Sequence, residues 1–558
     1  MTSSNLAIIS TALSDSTLQG LRDEFEDRVF RGVDGFFAKY FDKKPWAPLV
    51  AAAAAGSGFP HLDAVMKQVQ SLVPTLRSDT AGIHFRSEPL NKPGDPLSAA
   101  IYLLTGQQAH HIAPSNIRVC GQSYHATTND HNDTHILRLY HQATQVFKAQ
   151  PTRYFLHGFL VNGSTLELWV FDRSGAYSSE TFDLRQRPNL LLQILCGYAC
   201  MSDEEAGLNS FVKRCEANKT TYVEFDDQED NRFYLGPDWI AAPSYLVGLG
   251  TACLGASRSA STAVVDPDAV VKFSWREDDA THPELQLLEL ARKRNVKGII
   301  QVLGNQDLVS IAHLRSGLQF PQPLVNRTLS CVVTSPRGWP IQKFASIPEL
   351  LHALGDLVEA LGSLYLDGGI IHRDVAIKNL IIAPQPGAGR RKGVLIDFDL
   401  ALDVENARAL EPMMGSEGFM AIGILSGQKH TYRHDLESLF YVLLWLAIGN
   451  NHEADDASGI MQGLPEGSRL RKWCGMDFGA IRRDKAADMS PEGFVAMLDE
   501  FSPDFAPVQD LTRELHALLF PLHDGRIFTG TEMDRAAAKR LYDGMAAAFH
   551  KSASSFPM

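Results

Sequence analysis

The segment Ile370–Ile382, IIHRDVAIKNLII, places residues that could do chemistry among aliphatic ones. Asp374 and Asn379 lie within it, and Asp397 follows in LIDFDLA. Buried carboxylates are costly unless something compensates their charge, and carboxylate and amide oxygens are hard ligands suited to magnesium. A carboxylate beside an attacking hydroxyl can also accept its proton. The pattern predicts magnesium-dependent phosphoryl transfer, with Asp374 as the base and Asn379 and Asp397 as metal ligands.

A glycine-containing segment upstream, SYLVGLGTACLGASR, follows a strand pattern and is the candidate phosphate-binding loop. Gly248 and Gly250 would allow backbone N–H groups to approach phosphate oxygens closely. Cys253 stands where the third glycine of a G-x-G-x-x-G pattern would be. An ordinary hairpin is the alternative interpretation of this segment.

A lysine on a predicted strand is the candidate phosphate ligand. Lys272 lies in AVVKFSW, and an inward-facing lysine needs an anionic partner. Glu284 lies on the core-facing side of the following predicted helix, so a Lys272–Glu284 pair would orient the lysine on ATP phosphates. There are two alternatives: Lys272 points to water from an edge strand, or Glu284 forms a capping box with Thr281, which leaves Glu289 as the partner.

Two helices must position these residues. The stretch ASIPELLHALGDLVEALGSLYLDGG has a leucine stripe at helical spacing, a capping box of Ser346 and Glu349, and a terminal Gly368-Gly369. The longest apolar run, LFYVLLWLAIG, is too short to span a bilayer and predicts a buried helix.

Composition bounds the class of protein. The 558 residues carry a net charge of −13 and are 45% hydrophobic and 21% charged, which is typical of a soluble protein with two to four domains. The acidic balance argues against a nucleic-acid partner. Seven scattered cysteines indicate a reducing compartment, and the N-terminus has no signal-peptide pattern. We expect an intracellular protein, cytoplasmic or nuclear, that is neither secreted nor bound to a membrane.

The combination HRDVAIKN followed by DF resembles the protein-kinase fold, and more closely the fungal-type protein kinases. The segment HDLESLFYVLLWLAIG is similar to the central helix of that family's C-terminal lobe. Further segments resemble the family between about Pro151 and Ala548, and they read LWVFDRSGAYSSETFDL, CMSDEEAGL, RKWCGMDFGA and IFTGTEMD.

The resemblance implies ATP and Mg²⁺ as cofactors and phosphorylation of Ser or Thr in a protein, without indicating which protein or which oligomeric state. It implies catalytic roles for Asp374, Lys272 and Glu284. It also implies that Asp435 anchors the catalytic loop from below and that His372 and Arg373 support that loop.

The expected fold class is α+β, with a bilobal protein-kinase-like fold preceded by an α/β N-terminal domain. The predicted ranges are an N-terminal helical segment (1–60), an α/β domain (61–215), a linker (216–238), an N-lobe (239–340), a C-lobe (341–550) and a tail (551–558).

Several positions depart from the family pattern. Asp399 replaces the glycine of the DFG motif, which is also similar to choline- and aminoglycoside-type small-molecule kinases. Gly423 replaces the glutamate that usually pins the activation segment, so we expect that salt bridge to be missing. Ala376 replaces a lysine after the base, with Lys378 as a possible substitute. Ser416 is the one hydroxyl between Asp399 and Gly423, which favours control by a partner or constitutive activity. The alternatives are a small-molecule kinase and a nucleotide-binding pseudokinase scaffold.

In many relatives the region before the N-lobe resembles a restriction-endonuclease core with an E-x-K triplet. Here the strand reads VCGQSY, with Gln122 and Tyr124 in place of the acid and the lysine, so a degenerate, non-catalytic domain is expected. Nearby histidines suggest a metal site, but the stretch TTNDHNDT favours a solvated loop. These histidines are His110, His111, His125, His131 and His135.

Overall fold

A computed structural model describes most of the chain. The described residues are 19–23, 28–42, 44–54, 62–76, 83–90, 99–105, 112–125, 130–215, 220–226, 231–277, 283–321, 325–384, 391–406, 413–449 and 463–556. They are mixed α and β, as expected. Contacts divide the chain into a first unit (1–267, 271–279 and 304–332) and a second unit (268–270, 280–303 and 333–558).

Helices occur in both units. They are α1 Phe36–Tyr40, α2 Ala47–Ala54, α3 Leu62–Leu76, α4 Asp130–Ala149, α5 Leu190–Cys200, α6 Ala260–Val265, α7 Pro283–Lys293, α8 Ile311–Leu314, α9 Ile347–Leu366, α10 Ile422–Leu425, α11 Tyr432–Ile448, α12 Phe478–Asp488, α13 Pro491–Leu498, α14 Gln509–Leu519 and α15 Arg535–Ser554. Across the described part of the chain, no helix is both long enough and apolar enough to cross a membrane.

The strands form two large sheets and several small ones. They are β1 Val29–Phe30, β2 His84–Pro89, β3 Ala99–Leu104, β4 Ile117–Tyr124, β5 Phe155–Asn162, β6 Thr165–Asp172, β7 Gly175–Ser178, β8 Phe182–Asp183, β9 Lys213–Arg214, β10 Thr221–Glu224, β11 Arg232–Ala241, β12 Ala252–Ser257, β13 Ala269–Glu277, β14 Gln301–Ser310, β15 Arg327–Ser335, β16 Trp339–Pro340, β17 Ile370–Ile371, β18 Leu380–Ala383, β19 Lys392–Leu395, β20 Leu402–Asp403, β21 Leu522–His523 and β22 Arg526–Ile527.

An eight-stranded sheet forms much of the first unit. Its order is β1-β7-β6-β5-β4-β3-β2, with β8 paired to β6. Strands β5 and β6 pair directly across a hairpin turn at Asn162-Gly163, where Gly163 has a φ of 55°. That positive φ suits glycine in a tight turn. Large aromatic and aliphatic side chains from β5, β6 and α4 fill the core, among them Trp169, Phe171, Tyr140, Phe147 and Leu156.

The histidine-rich stretch is helical from Asp130 onward, so the expectation of a loop is wrong for the backbone at His131 and His135. Helix α4 begins at Asp130 and so contains His131 and His135. His135 is buried, and its ring stacks on Tyr124 with 3.7 Å between the centroids. This contact with β4 favours the helix despite its polar sequence. His110 and His111 lie outside the described residues.

The strand compared with an E-x-K triplet carries an uncharged network. Gln122 is fully buried, accepts a hydrogen bond from His135 Nδ1 at 3.2 Å and donates one to Gln142 Oε1 at 3.3 Å. Tyr124 is buried beside them. The two positions therefore present neither a carboxylate nor an ammonium group to a metal ion.

A seven-stranded sheet follows in the order β14-β15-β13-β12-β11-β10-β9, with the larger part of its residues in the first unit. The segment expected as a linker, 216–238, contributes β10 and the start of β11 to this sheet. Lys272 lies on β13 as predicted, and Gly248 and Gly250 lie in the β11–β12 connection.

Two helices form the framework of the second unit. Ser346 caps α9 by accepting a hydrogen bond from Glu349 N, and Gly369 follows the helix end with a φ of 61°, as the sequence predicts. The predicted apolar helix is α11, in which every residue is buried. Helix α9 packs against α11, α15 and β19. A buried cluster of side chains from these elements supports the loop that follows β17.

Restoring a lysine on β4 is expected to damage the fold. Tyr124→Lys would place an ammonium group in a site where the tyrosine is 1% exposed, so the free energy of unfolding should fall by about 3 kcal/mol or more. Tyr124→Phe keeps the stack on His135 and should cost about 1 kcal/mol or less. Urea unfolding of the full chain measures both. Equal stability of the Lys and Phe variants would contradict the buried placement.

Candidate active site

The loop 372–379, which corresponds by resemblance to the catalytic loop, is held by one buried carboxylate. Asp435 lies in the first turn of α11 and is 2% exposed. Its Oδ2 accepts a hydrogen bond from His372 N at 2.8 Å, and its Oδ1 accepts one from Arg373 N at 3.0 Å. Arg373 has a φ of 68°, a strained conformation that these bonds help to maintain. The resemblance predicted that Asp435 anchors this loop, and the two hydrogen bonds are the contacts by which it does so.

The charge of Asp435 is compensated locally. Burial alone would raise the pKa of this carboxyl, but His430 and His372 hold it below its usual value. His430 Nε2 lies 2.9 Å from Asp435 Oδ1. The carboxylate therefore stays ionised and able to accept the loop's N–H groups.

Asp374 and Asn379 are brought together by the turn that separates them. Asn379 Nδ2 donates to the backbone oxygen and to Oδ2 of Asp374, each at 2.8 Å. This directs the amide nitrogen toward Asp374 and leaves the amide oxygen on the opposite side. Both side chains are buried. The geometry suits an amide oxygen that binds a cation next to a carboxylate that accepts a proton.

Two further side chains contact the Asp374 carboxylate. Ser416 Oγ donates to its Oδ1 at 2.6 Å, and Lys378 Nζ lies 3.3 Å from its Oδ2. Lys378 is the residue that the sequence suggested as a substitute for the lysine missing at Ala376. The Ser416 contact is 42 residues away in sequence and was not predicted.

Asp397 follows β19 in a left-handed conformation with a φ of 65°. Both neighbours are fixed: Ile396 N donates to Asn379 O at 3.0 Å, and the ring of Phe398 is fully buried against His372. The hairpin of β18 and β19 thus brings the Asn379 and Asp397 backbones to one end. Asp399, at the DFG glycine position, does not have a positive φ, so its side chain imposes no such strain.

Three carboxylates gather around this turn. Oxygens of Glu284, Asp397 and Asp399 lie within 4.8 Å of one another. Like charges this close are unfavourable without a cation, and carboxylate oxygens suit Mg²⁺. The residues therefore fit a divalent metal ion. The sequence predicted Asp397 and Asn379 as metal ligands, whereas Asp399 was noted only as a departure from the family pattern.

Glu284 is 4% exposed on α7, and its Oε1 accepts a hydrogen bond from Phe398 N at 3.4 Å. Leu287 and Leu288 on the same helix are also buried, which confirms the predicted core-facing side. The alternative cap Thr281 lies outside the described residues. The fallback partner, Glu289, is on the exposed side and pairs with Arg292 at 2.8 Å. Lys272 belongs to the first unit and Glu284 to the second, so their pairing stays a prediction.

The glycine-containing loop makes contacts of its own in the first unit. Gly248 N donates to Arg173 O at 3.0 Å, and Gly250 packs against the Arg173 side chain. In this structure the Gly248 N–H is therefore committed to protein. The assignment of both glycines to phosphate binding stays a prediction.

The activation segment is pinned despite the absence of a glutamate at 423. Glu437 on α11 accepts from Ile422 N at 2.7 Å and forms a buried ion pair with Arg433, also at 2.7 Å. A Cβ on Gly423 would lie 2.3 Å from His434 Nε2, so a side chain has no room there without a shift. Gly423 has no side chain with which to form the salt bridge that usually pins this segment, and Glu437 holds the neighbouring Ile422 N instead.

Lys485 is a second buried anchor, which the sequence analysis missed. Its Nζ donates to Gly418 O at 2.8 Å and Met420 O at 2.7 Å, and it lies over the rings of Tyr441 and Trp473. Burial lowers its pKa to about 7. Its neighbours in IRRDKAAD carry many charges, so no local signal marks this lysine as buried.

Comparison with known families identifies the chain. A family model described as fungal protein kinase matches residues 101–447, which is more than half of the chain. The chain therefore belongs to the fungal protein kinase family, as the sequence resemblance predicted, and membership suggests a phosphotransferase. The match begins in β3, so it includes most strands of the eight-stranded sheet. None of the curated proteins matches the chain.

The depressed pKa of Lys485 predicts a pH dependence of stability. Between about pH 7 and the usual value of 10.5, the unfolded chain binds a proton that the folded chain does not, so the free energy of unfolding rises with pH. The contribution is up to about 1.4 kcal/mol per pH unit. Urea unfolding at pH 7 and 9.5 should show wild type gaining stability relative to Lys485→Met. Lys472→Met is the exposed control, and parallel behaviour of wild type and Lys485→Met would refute this role.

Proposed function

We propose that this member of the fungal protein kinase family transfers the γ-phosphoryl group of ATP to a Ser or Thr hydroxyl of a protein, with Mg²⁺. The observation that carries the proposal is the Asp374 carboxylate, which is fixed by Asn379 and accepts a hydrogen bond from the aliphatic hydroxyl of Ser416 at 2.6 Å. A carboxylate that accepts from one such hydroxyl has the geometry to accept from a substrate hydroxyl.

In the proposed reaction the acceptor hydroxyl replaces Ser416 at Asp374. The oxygen–phosphorus bond to the acceptor forms while the bond between the γ-phosphorus and the β,γ-bridging oxygen breaks, and ADP leaves. The hydroxyl proton passes to Asp374 late in the step. Lys378, which is 58% exposed, would then contact the transferred phosphoryl oxygens.

When bound, Mg²⁺ neutralises charge on the phosphates. Asp397 and Asn379 would hold it, with Asp399 and Glu284 close enough to Asp397 to complete the ligand set directly or through water. The buried position of Phe398 and the anchored loop keep these oxygens in place without reorganisation.

The first prediction for this function distinguishes the role of Asp374 as the base from that of Asp397 as a metal ligand. Asp374→Ala should lower the rate of transfer by about 10²–10⁴-fold while ATP still binds, because the base acts on the acceptor hydroxyl. Asp397→Asn should abolish transfer and the magnesium-dependent part of the thermal shift produced by ATP. Labelled ATP with a generic basic protein measures the transfer, and Asp499→Ala is the exposed control.

The same assay distinguishes the alternatives. Transfer by wild type to a small alcohol or amine and never to protein would favour the small-molecule kinase. Binding of ATP without transfer by wild type would make the chain a nucleotide-binding scaffold. A thermal shift that is equal with and without magnesium would contradict the metal ligands.

The second prediction concerns the Lys272–Glu284 pair. Lys272→Met and Glu284→Gln should each lower the rate of transfer strongly, and the double variant should be little worse than the worse single one. Glu284→Gln keeps an amide oxygen for Phe398 N, so its effect reports loss of charge. Glu289→Gln is the matched control. Fully additive losses would show that the two residues act separately.

A further inference from the structure

Two consecutive charged residues leave the eight-stranded sheet at the turn between β6 and β7. Asp172 is 1% exposed and Arg173 is fully buried. Charged side chains are rarely buried unless they are paired or hydrogen-bonded. Both contact connections of the seven-stranded sheet, and all of these contacts lie within the first unit.

Arg173 binds the β11–β12 connection with its side chain and its backbone. Its Nη1 donates to Tyr245 O at 2.9 Å and to Leu246 O at 3.0 Å, while Nη2 donates to Pro151 O at 3.1 Å. Its own carbonyl accepts from Gly248 N at 3.0 Å. Burial lowers the pKa of the guanidinium to about 10, which leaves it charged at neutral pH. Arg173 thus hydrogen-bonds to three positions of the loop, Tyr245, Leu246 and Gly248.

The loop also enters the core of the N-terminal sheet. Leu246 is fully buried and belongs to the same cluster as Phe147, Trp169 and Phe171. The guanidinium lies over the ring of Phe147, 4.6 Å from its centroid. Moving this leucine out of the cluster would expose apolar surface, so its burial stabilises the attachment of the loop.

Gly250 is shaped by the same contact. Its φ is 54°, and a Cβ there would lie 2.6 Å from Arg173 Nε. The next step along the loop reaches the strand that carries Lys272, because Trp275 N donates to Leu249 O at 2.7 Å. The loop that Arg173 holds is therefore also hydrogen-bonded to β13.

Asp172 holds a different connection. It forms a two-pronged ion pair with Arg315, in which both N–O distances are 2.7 Å, and Arg315 lies over the rings of Tyr177 and Phe320. Arg315 belongs to the β14–β15 connection. Arg315 is therefore a buried arginine in an environment similar to that of Arg173, but it does not contact the glycine-containing loop.

We propose that Arg173 is a positioning residue for nucleotide binding: by holding residues 245–248 against the N-terminal sheet, it fixes the β11–β12 loop in register with the strand of Lys272. The N-terminal sheet is then a working part of the phosphotransferase. The inference rests on the proposed function and goes beyond it by assigning a role to a domain expected to be a scaffold.

The test uses Arg173→Lys in the full chain, since a lysine keeps the charge but cannot reach three carbonyls. Hydrogen exchange of the amides in 244–251 should become about tenfold faster, and the Kd of trinitrophenyl-ATP with magnesium should rise about tenfold. Leu246→Ala is a second variant that loosens the loop from its own side. Arg185→Lys is the exposed control and Arg315→Lys the buried one, and both should leave the Kd within about twofold.

The outcomes separate this inference from the proposed function. Faster exchange with an unchanged or lower Kd would overturn the positioning role, because the loop would be anchored without serving the nucleotide. An equal rise in Kd for Arg315→Lys would also overturn it by showing a general loss of stability. Unchanged exchange in both Arg173→Lys and Leu246→Ala would refute the anchoring. Failure of wild type to bind the nucleotide, with exchange faster in the variants, would refute the proposed function and its coupling while leaving the anchoring established.

Discussion

The candidate site depends on the ionised Asp435 beneath the catalytic loop. This carboxylate accepts hydrogen bonds from two backbone N–H groups of a strained loop. The same loop carries Asp374. It lies on a helix whose residues are all buried, so its position is set by the core of the second unit. Removing this buried acceptor would leave two N–H groups without a hydrogen-bond partner, and the loop would shift as a result.

Buried polar side chains also hold the irregular segment that precedes α11. Glu437 accepts from the activation segment, and Lys485 donates to two of its carbonyls. Each is costly to bury, and each is compensated by specific partners. Such anchors fix backbone geometry more sharply than apolar contacts, because a hydrogen bond depends on direction as well as on distance.

The N-terminal sheet follows the same principle. Asp172 forms an ion pair with one connection of the seven-stranded sheet, and Arg173 donates hydrogen bonds to another. Because both charges are buried, each is stabilised only while these contacts are well aligned. The family match likewise begins inside this sheet. The eight-stranded sheet is thus built into the first unit rather than appended to it.

The sequence by itself determined the local features of this protein. Capping residues predicted α9 and apolar character predicted α11, and both helices are confirmed. The order of Asp374, Asn379 and Asp397 predicted a phosphoryl-transfer loop, whose activity stays a prediction. These signals are local because each depends on spacing within a few turns of chain. Only the tertiary structure decided which buried polar atoms meet. Glu437 reaches Ile422, Ser416 reaches Asp374, Lys485 reaches Gly418 and Arg173 reaches Leu246 across long stretches of sequence. Periodicity indicates that a face is buried, but it does not identify the partner that compensates a charge there, because that partner is set by the packing of distant elements.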